Sequence, residues 1–441
     1  MRGSLLKRFP IATVTILVIT CTLFVRSLYA PNSDVSRVII VSYQRSGSSF
    51  LGEIFNQNPK AMQWFEPLDG VYSALYGTRY GFNVPADLWN MPNGSERAIP
   101  MSELTALANV TSSILNCQFD QLPTEVLLHS FVPMFLKQHK RLTPYAKCIQ
   151  DGKPALGVCN KCNLELSSVC SKRFDVSQSN LQMCANELAL RHDPSATPPF
   201  PFVTSSKSVR KAVEKYRDCM KPCRSKALKC SSYLANSCHH ARVRNIKPVR
   251  LPMSAARLVH QSLPDVKIIH NIRDPRGVVH SRKYVSESFH SAFAMYRTPV
   301  VSKRKRDTKK SPAYFTTVDV AKEAMLLCRN VAEDVIVRRE MLKDDPGCAK
   351  EILYENYATQ PLAVTQDIYD FIGQPLPHQV LQWLAENTTG EKVNSQKQTS
   401  RQANVTMLKW QDELSVRDMA AVNGHCKYLF EIMHHVPWQF T

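Results

Sequence analysis

The chain has 441 residues, 44% of them hydrophobic, and a formal net charge of +19 at pH 7. That length suits one large α/β domain plus an insertion, and the absence of an internal repeat excludes a solenoid. So basic a balance calls for anionic partners.

Residues 9–25 are uncharged and mostly apolar, and they follow Arg2, Lys7 and Arg8. Such a segment is at the short end of a membrane span, and the preceding charges would keep residues 1–8 cytosolic. A transmembrane signal-anchor is therefore expected at 9–25, with a short stem at 26–35. A cleaved signal peptide is the competing reading, but Ser27-Leu28-Tyr29-Ala30 lacks a clean A-x-A cleavage site.

The apolar run Val38-Ile39-Ile40-Val41 reads as a buried parallel strand, ending at Val41 or Ser42. Next comes Tyr43-Gln44-Arg45-Ser46-Gly47-Ser48-Ser49-Phe50, and then a helical pattern from Ser48 to Phe55 with apolar pairs Phe50/Ile54 and Leu51/Phe55. Strand, glycine turn and helix start form an anion site: the helix N-terminus offers free N–H groups and partial positive charge. Gly47 would let the backbone approach a phosphate, while Arg45, Ser46, Ser48 and Ser49 add donors. This is not a Walker A loop, because G-x-x-x-x-G-K-[ST] is absent and no lysine lies between Val38 and Pro59. A nucleoside-triphosphate kinase or ATPase is disfavoured accordingly. Met62 to Phe65 reads as a further strand, placing Glu66 at its end.

Sequons at Asn93, Asn109, Asn387 and Asn404 point to lumenal exposure. The 14 cysteines agree. Cys21 lies in the expected span, leaving 13 on the lumenal side (14 − 1), an odd number that predicts one free thiol or an intermolecular bridge. Cys148, Cys159, Cys162, Cys170, Cys184, Cys219, Cys223, Cys230 and Cys238 crowd into residues 148–244. This stretch, which includes the linker-like run Asp193–Pro201, is expected to be a disulfide-stapled insertion without a large apolar core of its own. Zinc is the rival reading, since Cys159-x-x-Cys162 and Cys219-x-x-x-Cys223 have ligand spacing and His239-His240 follow. An anchored, lumenal chain should not meet nucleic acid despite its charge.

A second strand-turn-helix unit follows. Val266–Ile272 is apolar, and Arg273-Asp274-Pro275-Arg276-Gly277-Val278-Val279-His280-Ser281-Arg282 comes after it. Proline suits the first helical turn. Arg273 falls at the carboxyl end of a strand, where open α/β sheets bind ligands, and arginine suits bidentate phosphate contacts. Ser281 lies about two turns into the helix and can add a hydroxyl to the same anion. Two such units imply a doubly phosphorylated small molecule. Lys303-Arg304-Lys305-Arg306 with Lys309-Lys310 is the densest basic run; a solvated loop is the default reading, with a glycan-contacting loop or a protease site as alternatives.

With these residues in view, the chain resembles the Golgi carbohydrate 6-O-sulfotransferases, which modify galactose, N-acetylgalactosamine or N-acetylglucosamine. Arg45–Phe50 is similar to that family's 5′-phosphosulfate motif, and Arg273 to Ser281 to its 3′-phosphate motif. The likeness extends over residues 36–120 and 245–441. It takes in Asn56-Gln57-Asn58-Pro59, Phe65-Glu66-Pro67-Leu68, Lys247–Leu251, Cys328-Arg329-Asn330, Leu353-Tyr354-Glu355-Asn356-Tyr357 and Thr399-Ser400-Arg401 with Trp410 beyond. Residues 148–244 match nothing in it.

The resemblance implies an α/β sulfotransferase fold: a parallel sheet flanked by helices with a P-loop-like 5′-phosphosulfate loop, split by the insertion into 36–147 and 245–441. It implies a single-pass type II Golgi membrane protein with a lumenal catalytic domain. The donor would be 3′-phosphoadenosine 5′-phosphosulfate, the acceptor a glycan or proteoglycan hydroxyl, and no metal is needed. Donor binding would fall to Arg45, Ser46, Gly47, Ser48, Ser49, Phe50 and Leu51 at one end and to Arg273, Arg276 and Ser281 at the other, with Ser400 and Arg401 closing over the nucleotide. Arg45, where many sulfotransferases carry lysine, would stabilise the leaving group, and Glu66 would act as general base. His129, His270 and His280 are secondary base candidates. The family often has Trp-His where this chain has Asp69 and Gly70, so acceptor contacts are expected to differ. A catalytically silent glycan-binding relative is the alternative, and intact Arg45, Glu66, Arg273 and Ser281 argue against it.

Overall fold

Five parallel strands set the frame. They are β1 (Ser36–Ser42), β2 (Ala61–Phe65), β3 (Val243–Lys247), β4 (Lys267–Ile272) and β5 (Ala349–Leu353), in the order β2-β3-β1-β4-β5. Each is short, and β1 is flanked by β3 and β4, with Ser42 opposite Asn271. Central parallel strands are covered on both faces, which is why Val38 to Val41 read as a continuous apolar run. The computed structural model describes residues 35–77, 99–129, 131–134, 136–138, 140–170, 178–192, 203–249, 251–283, 297–300, 315–388 and 407–434. Residues from Ser36 onward form one compact unit. The expected cytosolic tail, membrane span and most of the stem lie outside the described residues, as do Asn93, Asp193–Pro201, Lys303–Lys310, Ser400, Arg401 and Asn404. Among the described residues no helix is long and apolar enough to cross a membrane.

Helices cover both faces. After β1 comes α1 (Ser48–Asn56), and after β2 comes α2 (Asp69–Tyr76). α3 (Met101–Leu115) and the single turn α4 (Thr124–Leu127) lead to the cysteine-rich stretch. That stretch is helical: α5 (Thr143–Gln150), α6 (Leu156–Cys170), α7 (Gln178–His192) and the long α8 (Lys207–His239). β3 then returns the chain to the sheet. α9 (Met253–Ser262), α10 (Pro275–Lys283) and α11 (Val320–Asp344) follow, then α12 (Tyr354–Thr359) directly after β5. Pro275 opens α10 as the sequence predicts.

The cysteines resolve in favour of disulfides. Cys148–Cys230, Cys159–Cys223, Cys162–Cys219 and Cys170–Cys184 close within the insertion, while Cys117–Cys238 ties α8 back to the end of α3. Cys159 and Cys162, three residues apart on α6, face Cys223 and Cys219 on α8, so the zinc-like spacing reflects two antiparallel helices stapled twice. Cys328–Cys426 is the sixth bridge, and Cys348 is the predicted free thiol.

The insertion is no separate lobe. Leu166, Val209, Val213, Ala227 and Leu234 belong to the same buried cluster as Ile39, Val41, Met62 and Trp64 of the sheet. It gains its core by sharing the domain's. With Cys159–Cys223 intact, Cys148–Cys230 closes a loop of about 20 residues, to which chain-entropy arguments give about 3 kcal/mol. The Cys148→Ser/Cys230→Ser double variant should therefore lower unfolding stability by roughly that amount in chemical denaturation. A loss within error of zero would show that apolar packing alone holds α5 to α8.

Candidate active site at the carboxyl edge of the sheet

The main candidates for donor binding and for the base lie just beyond the carboxyl end of a strand or on the helix after it. In sheet order these are Glu66 after β2, Lys247 ending β3, the 43–47 loop after β1, Arg273 after β4, and Tyr354 with Glu355 after β5.

The loop is shaped from behind. The Tyr43 carbonyl accepts from Ser46 N–H (3.2 Å) and from Ser46 Oγ (2.6 Å). The Gln44 carbonyl accepts from Arg282 Nε and Nη2 at 3.3 and 3.1 Å. The Arg45 carbonyl accepts from Arg273 Nη1 at 3.0 Å, and the Ser46 carbonyl from Asn271 Nδ2 at 3.1 Å. A trans peptide directs its N–H opposite to its carbonyl. The N–H groups of Arg45 and Gly47 consequently face away from these internal donors. No side chain caps α1, whose N-terminus, with the Ser48 and Ser49 N–H groups, follows directly on this loop. Arg45 and Gly47 both take the left-handed conformation, at φ 70° and 85°, which helps to make a backbone nest for an anion. Gly47 is required twice over, because a Cβ there would lie 2.1 Å from the Tyr354 ring.

The two sequence motifs meet directly. Arg45 Nε donates to Ser281 Oγ at 2.9 Å. Arg273 is buried, stacks its guanidinium 4.5 Å over the Tyr354 ring, and has no hydrogen-bond partner at Nε. A buried arginine donor without an acceptor is the kind of group that an incoming anion satisfies. The residues thus fit a ligand with two phosphate groups.

Four of the residues expected at the donor make internal contacts in the structure. Ser46 turns its hydroxyl inward, donating to Tyr43 and accepting from Asn271 Nδ2 at 3.1 Å, so it shapes the loop. Phe50 packs its ring against Tyr357 and Trp383, Leu51 is fully buried, and the N–H groups of both donate to the Gly47 carbonyl. Arg276 is buried in a fork with Asp274 (2.7 Å) and lies 4.2 Å over Trp410. Its Nε and Nη2 donate to Asp274, and the pair stands in the turn that presents Arg273. Ser48 and Ser49 stand in the first turn of α1 as expected.

Glu66 also has left-handed backbone, φ 49°. Such strain, about 1–2 kcal/mol per residue, gathers at functional sites. Its N–H donates to the Lys247 carbonyl, and its carboxylate lies 3.3 Å from Lys247 Nζ, both groups being buried. Lys247 also sits 3.9 Å over the Phe65 ring. Two strand spacings, roughly 10 Å, separate the Glu66 strand from β1. The alternative bases lie elsewhere. His270 is buried inside β4 beside Arg338, and that burial drives its pKa well below the usual range. His280 is also pushed down by burial, with its Nε2 2.8 Å from Glu413.

Asp334 carries no signal in the sequence. This buried α11 carboxylate accepts from Tyr43 Oη (2.8 Å) and from Met253 N–H (2.7 Å), joining the loop to α11 and α9. Neither was Arg282 assigned, though it pairs with buried Glu323 at 2.8 Å while holding Gln44. An Asp and an Arg within helical segments carry no sequence signal of a loop partner.

Residues 37–378 match the profile of the Sulfotransferase family. The chain belongs to the sulfotransferase family. Carbohydrate sulfotransferase 1 of Rattus norvegicus is 24% identical over 404 residues, covering 90% of this chain and 78% of that protein. Human carbohydrate sulfotransferases 5 and 6 are each 22% identical, covering 98% of this chain and 87% and 91% of their own. Among solved structures, sulfotransferase STF9 from Mycobacterium avium aligns over 96% of this chain and 81% of that one, at TM-score 0.34 and 11% identity. This sulfotransferase is thus an enzyme whose sequence likeness runs through both halves of the sheet and the insertion between them.

Burial raises the Asp334 pKa to about 7, against an ordinary 3.8. The folded protein then holds a proton that the unfolded chain has released, so this group's stabilising contribution is full at low pH and lost as pH rises through about 7. Asp334→Asn cannot titrate. Its melting temperature should improve relative to the parent sulfotransferase as pH rises through that range. A difference that does not vary with pH would mean that Asp334 is ionised in the fold throughout.

Proposed function

We propose that this sulfotransferase moves a sulfuryl group from 3′-phosphoadenosine 5′-phosphosulfate to a hydroxyl, the 6-hydroxyl by resemblance, of galactose, N-acetylgalactosamine or N-acetylglucosamine in a glycan. The observation that carries the reading is the direct contact of two anion sites: the inward-held 43–47 loop with its outward N–H groups, and Arg273 with Ser281 beside it. The donor supplies an activated sulfuryl group on a phosphate leaving group. The loop N–H groups, Ser48 and Ser49 would hold the 5′ end, and Arg273 and Ser281 the 3′-phosphate. Arg45, touching both motifs, would place positive charge where leaving-group charge develops.

Glu66 would take the acceptor proton. Lys247 fixes its carboxylate, and the rough 10 Å between β2 and β1 leaves room for a sugar hydroxyl between base and loop. The acceptor side is bounded by α2, which begins three residues after Glu66. Gly70 of α2 meets the α4 backbone so closely that a Cβ would lie 2.5 Å from Val126 Cα. Behind them, Tyr216 of α8 hydrogen-bonds Glu125 of α4, and α6 packs Leu166 and Cys170 against Gly77 at the end of α2. The disulfide-stapled helices therefore brace the acceptor side more than the donor side, which supports a role for the insertion in choosing the glycan. A single-pass Golgi membrane location with a lumenal domain belongs to the same proposal, supported by the apolar run at 9–25 and by six disulfides.

Transfer of radiolabelled sulfate from the donor onto a panel of desulfated glycans tests the proposal, with ATP hydrolysis as the control. Transfer to at least one glycan is expected; tight donor binding without any transfer would make the protein a silent relative. Within an active preparation, Glu66→Gln should cut turnover about a hundredfold or more while donor affinity persists. Near-normal turnover would remove Glu66 from the chemistry. Arg273→Lys keeps the charge and loses the fork and the planar stack on Tyr354, so donor affinity should fall about tenfold, with acceptor KM unchanged. Equal losses for donor and acceptor would assign Arg273 to the fold.

A further inference from the structure

One cluster of ligand-type side chains lies outside this site, and it includes the odd cysteine. Six disulfides consume every other described cysteine, and Cys348 keeps a buried thiol. It stands immediately before β5, at the amino edge of the sheet, opposite to the phosphate loop. Asp345-Pro346-Gly347-Cys348 forms a turn closed by Cys348 N–H to the Asp345 carbonyl at 3.2 Å, bringing side chains three apart in sequence together. Gly347 N–H donates to Asp345 Oδ1 at 3.0 Å, which fixes the carboxylate and turns Oδ2 toward His260 at the end of α9. One ligand atom from each of His260, Asp345 and Cys348 lies within 4.8 Å of the other two.

The spacing suits a metal better than a salt bridge. His260 Nε2 lies 3.4 Å from Asp345 Oδ2, long for a charge-assisted hydrogen bond. With bonds of about 2.0–2.2 Å, two ligands on a tetrahedral zinc ion are separated by about 3.3–3.4 Å. Sulfur at about 2.3 Å would need about 3.6 Å to each of the other two, so closing the trio takes about 1 Å of side-chain rotation. A thiolate and a carboxylate together neutralise a divalent charge. Imidazole with thiolate selects zinc-like ions over magnesium or calcium, which prefer oxygen.

We propose that His260, Asp345 and Cys348 form a binding site for a zinc-class divalent cation, with water in the fourth position. The ion would bond α9 to the turn between α11 and β5. Binding displaces the thiol proton to solvent and involves no redox change. The site is structural: it fastens the start of β5, whose far end presents Tyr354 and Glu355 to the sulfotransferase site. No part of it is shared with the donor contacts.

The test uses the full chain in detergent, stripped of metal by dialysis against a chelator, then titrated with cobalt and with zinc. One equivalent of cobalt should produce a thiolate-to-cobalt charge-transfer band in the near ultraviolet, and zinc should displace it. Zinc should also slow alkylation of Cys348 at least tenfold, read by peptide mass mapping so that Cys21 does not interfere, and raise the melting temperature. His260→Gln and Cys348→Ser should each abolish the band and the zinc-dependent melting shift. Protection of Cys348 is read in His260→Gln and should be lost there. Should Cys348→Ser fail to fold, His260→Gln at the helix end reads the same site. The proposal falls if no charge-transfer band forms, if Cys348 alkylates equally fast with and without zinc, or if the melting shift survives in His260→Gln.

Discussion

The site rests on four successive carbonyls, Tyr43 to Ser46, being held from inside the protein. Each would, if released, turn a negative dipole toward the place where an anion must bind. Arg282, Arg273 and Asn271 hold three of them, and the loop's own Ser46 holds the fourth. These donors come from β4, the segment after it, and α10, so the loop conformation depends on the β1–β4 pairing. Left-handed backbone at Arg45 costs about 1–2 kcal/mol, and these hydrogen bonds together offset it. The arginine that orients the loop, Arg273, is the one with a donor left over for the ligand.

Buried charge on this edge is paired in a graded way. Arg282 with Glu323 and Arg276 with Asp274 are closed pairs that hold backbone and turn. Glu66 with Lys247 is the comparable pair nearest the acceptor side. Removing one partner from a buried pair leaves an uncompensated charge, a cost of several kcal/mol, so all three are under strong structural constraint. Asp334 differs: burial without a close full cation leaves it poised near neutrality, where a loop anchor is sensitive to pH.

The insertion and the catalytic edge form one mechanical object. Its helices complete the core under β1 and β2, and its far side touches α2 and α4, the elements that follow Glu66. Disulfides cross-link helices that already share that core. They lower the entropy of the unfolded chain, while the location of the helices comes from apolar burial.

Much was legible in the sequence because it is local. Apolar runs announced β1, β2 and β4; Gly47 and Pro275 announced the turns; Arg273 was placed by its strand end and Ser281 by helical spacing. The odd cysteine count foretold a free thiol or an intermolecular bridge, and compartment chemistry favoured disulfides over zinc for the insertion. The direction of side chains is not written in the sequence. Ser46, Phe50, Leu51 and Arg276 sit in the expected segments, and the fold engages donors of theirs with Tyr43, Gly47 and Asp274. Asp334, Arg282, Asn271 and Lys247 act across the fold on partners up to 291 residues away, and no spacing rule spans such distances. Strand order decides which carboxyl ends stand side by side, and only the folded sheet supplies that order.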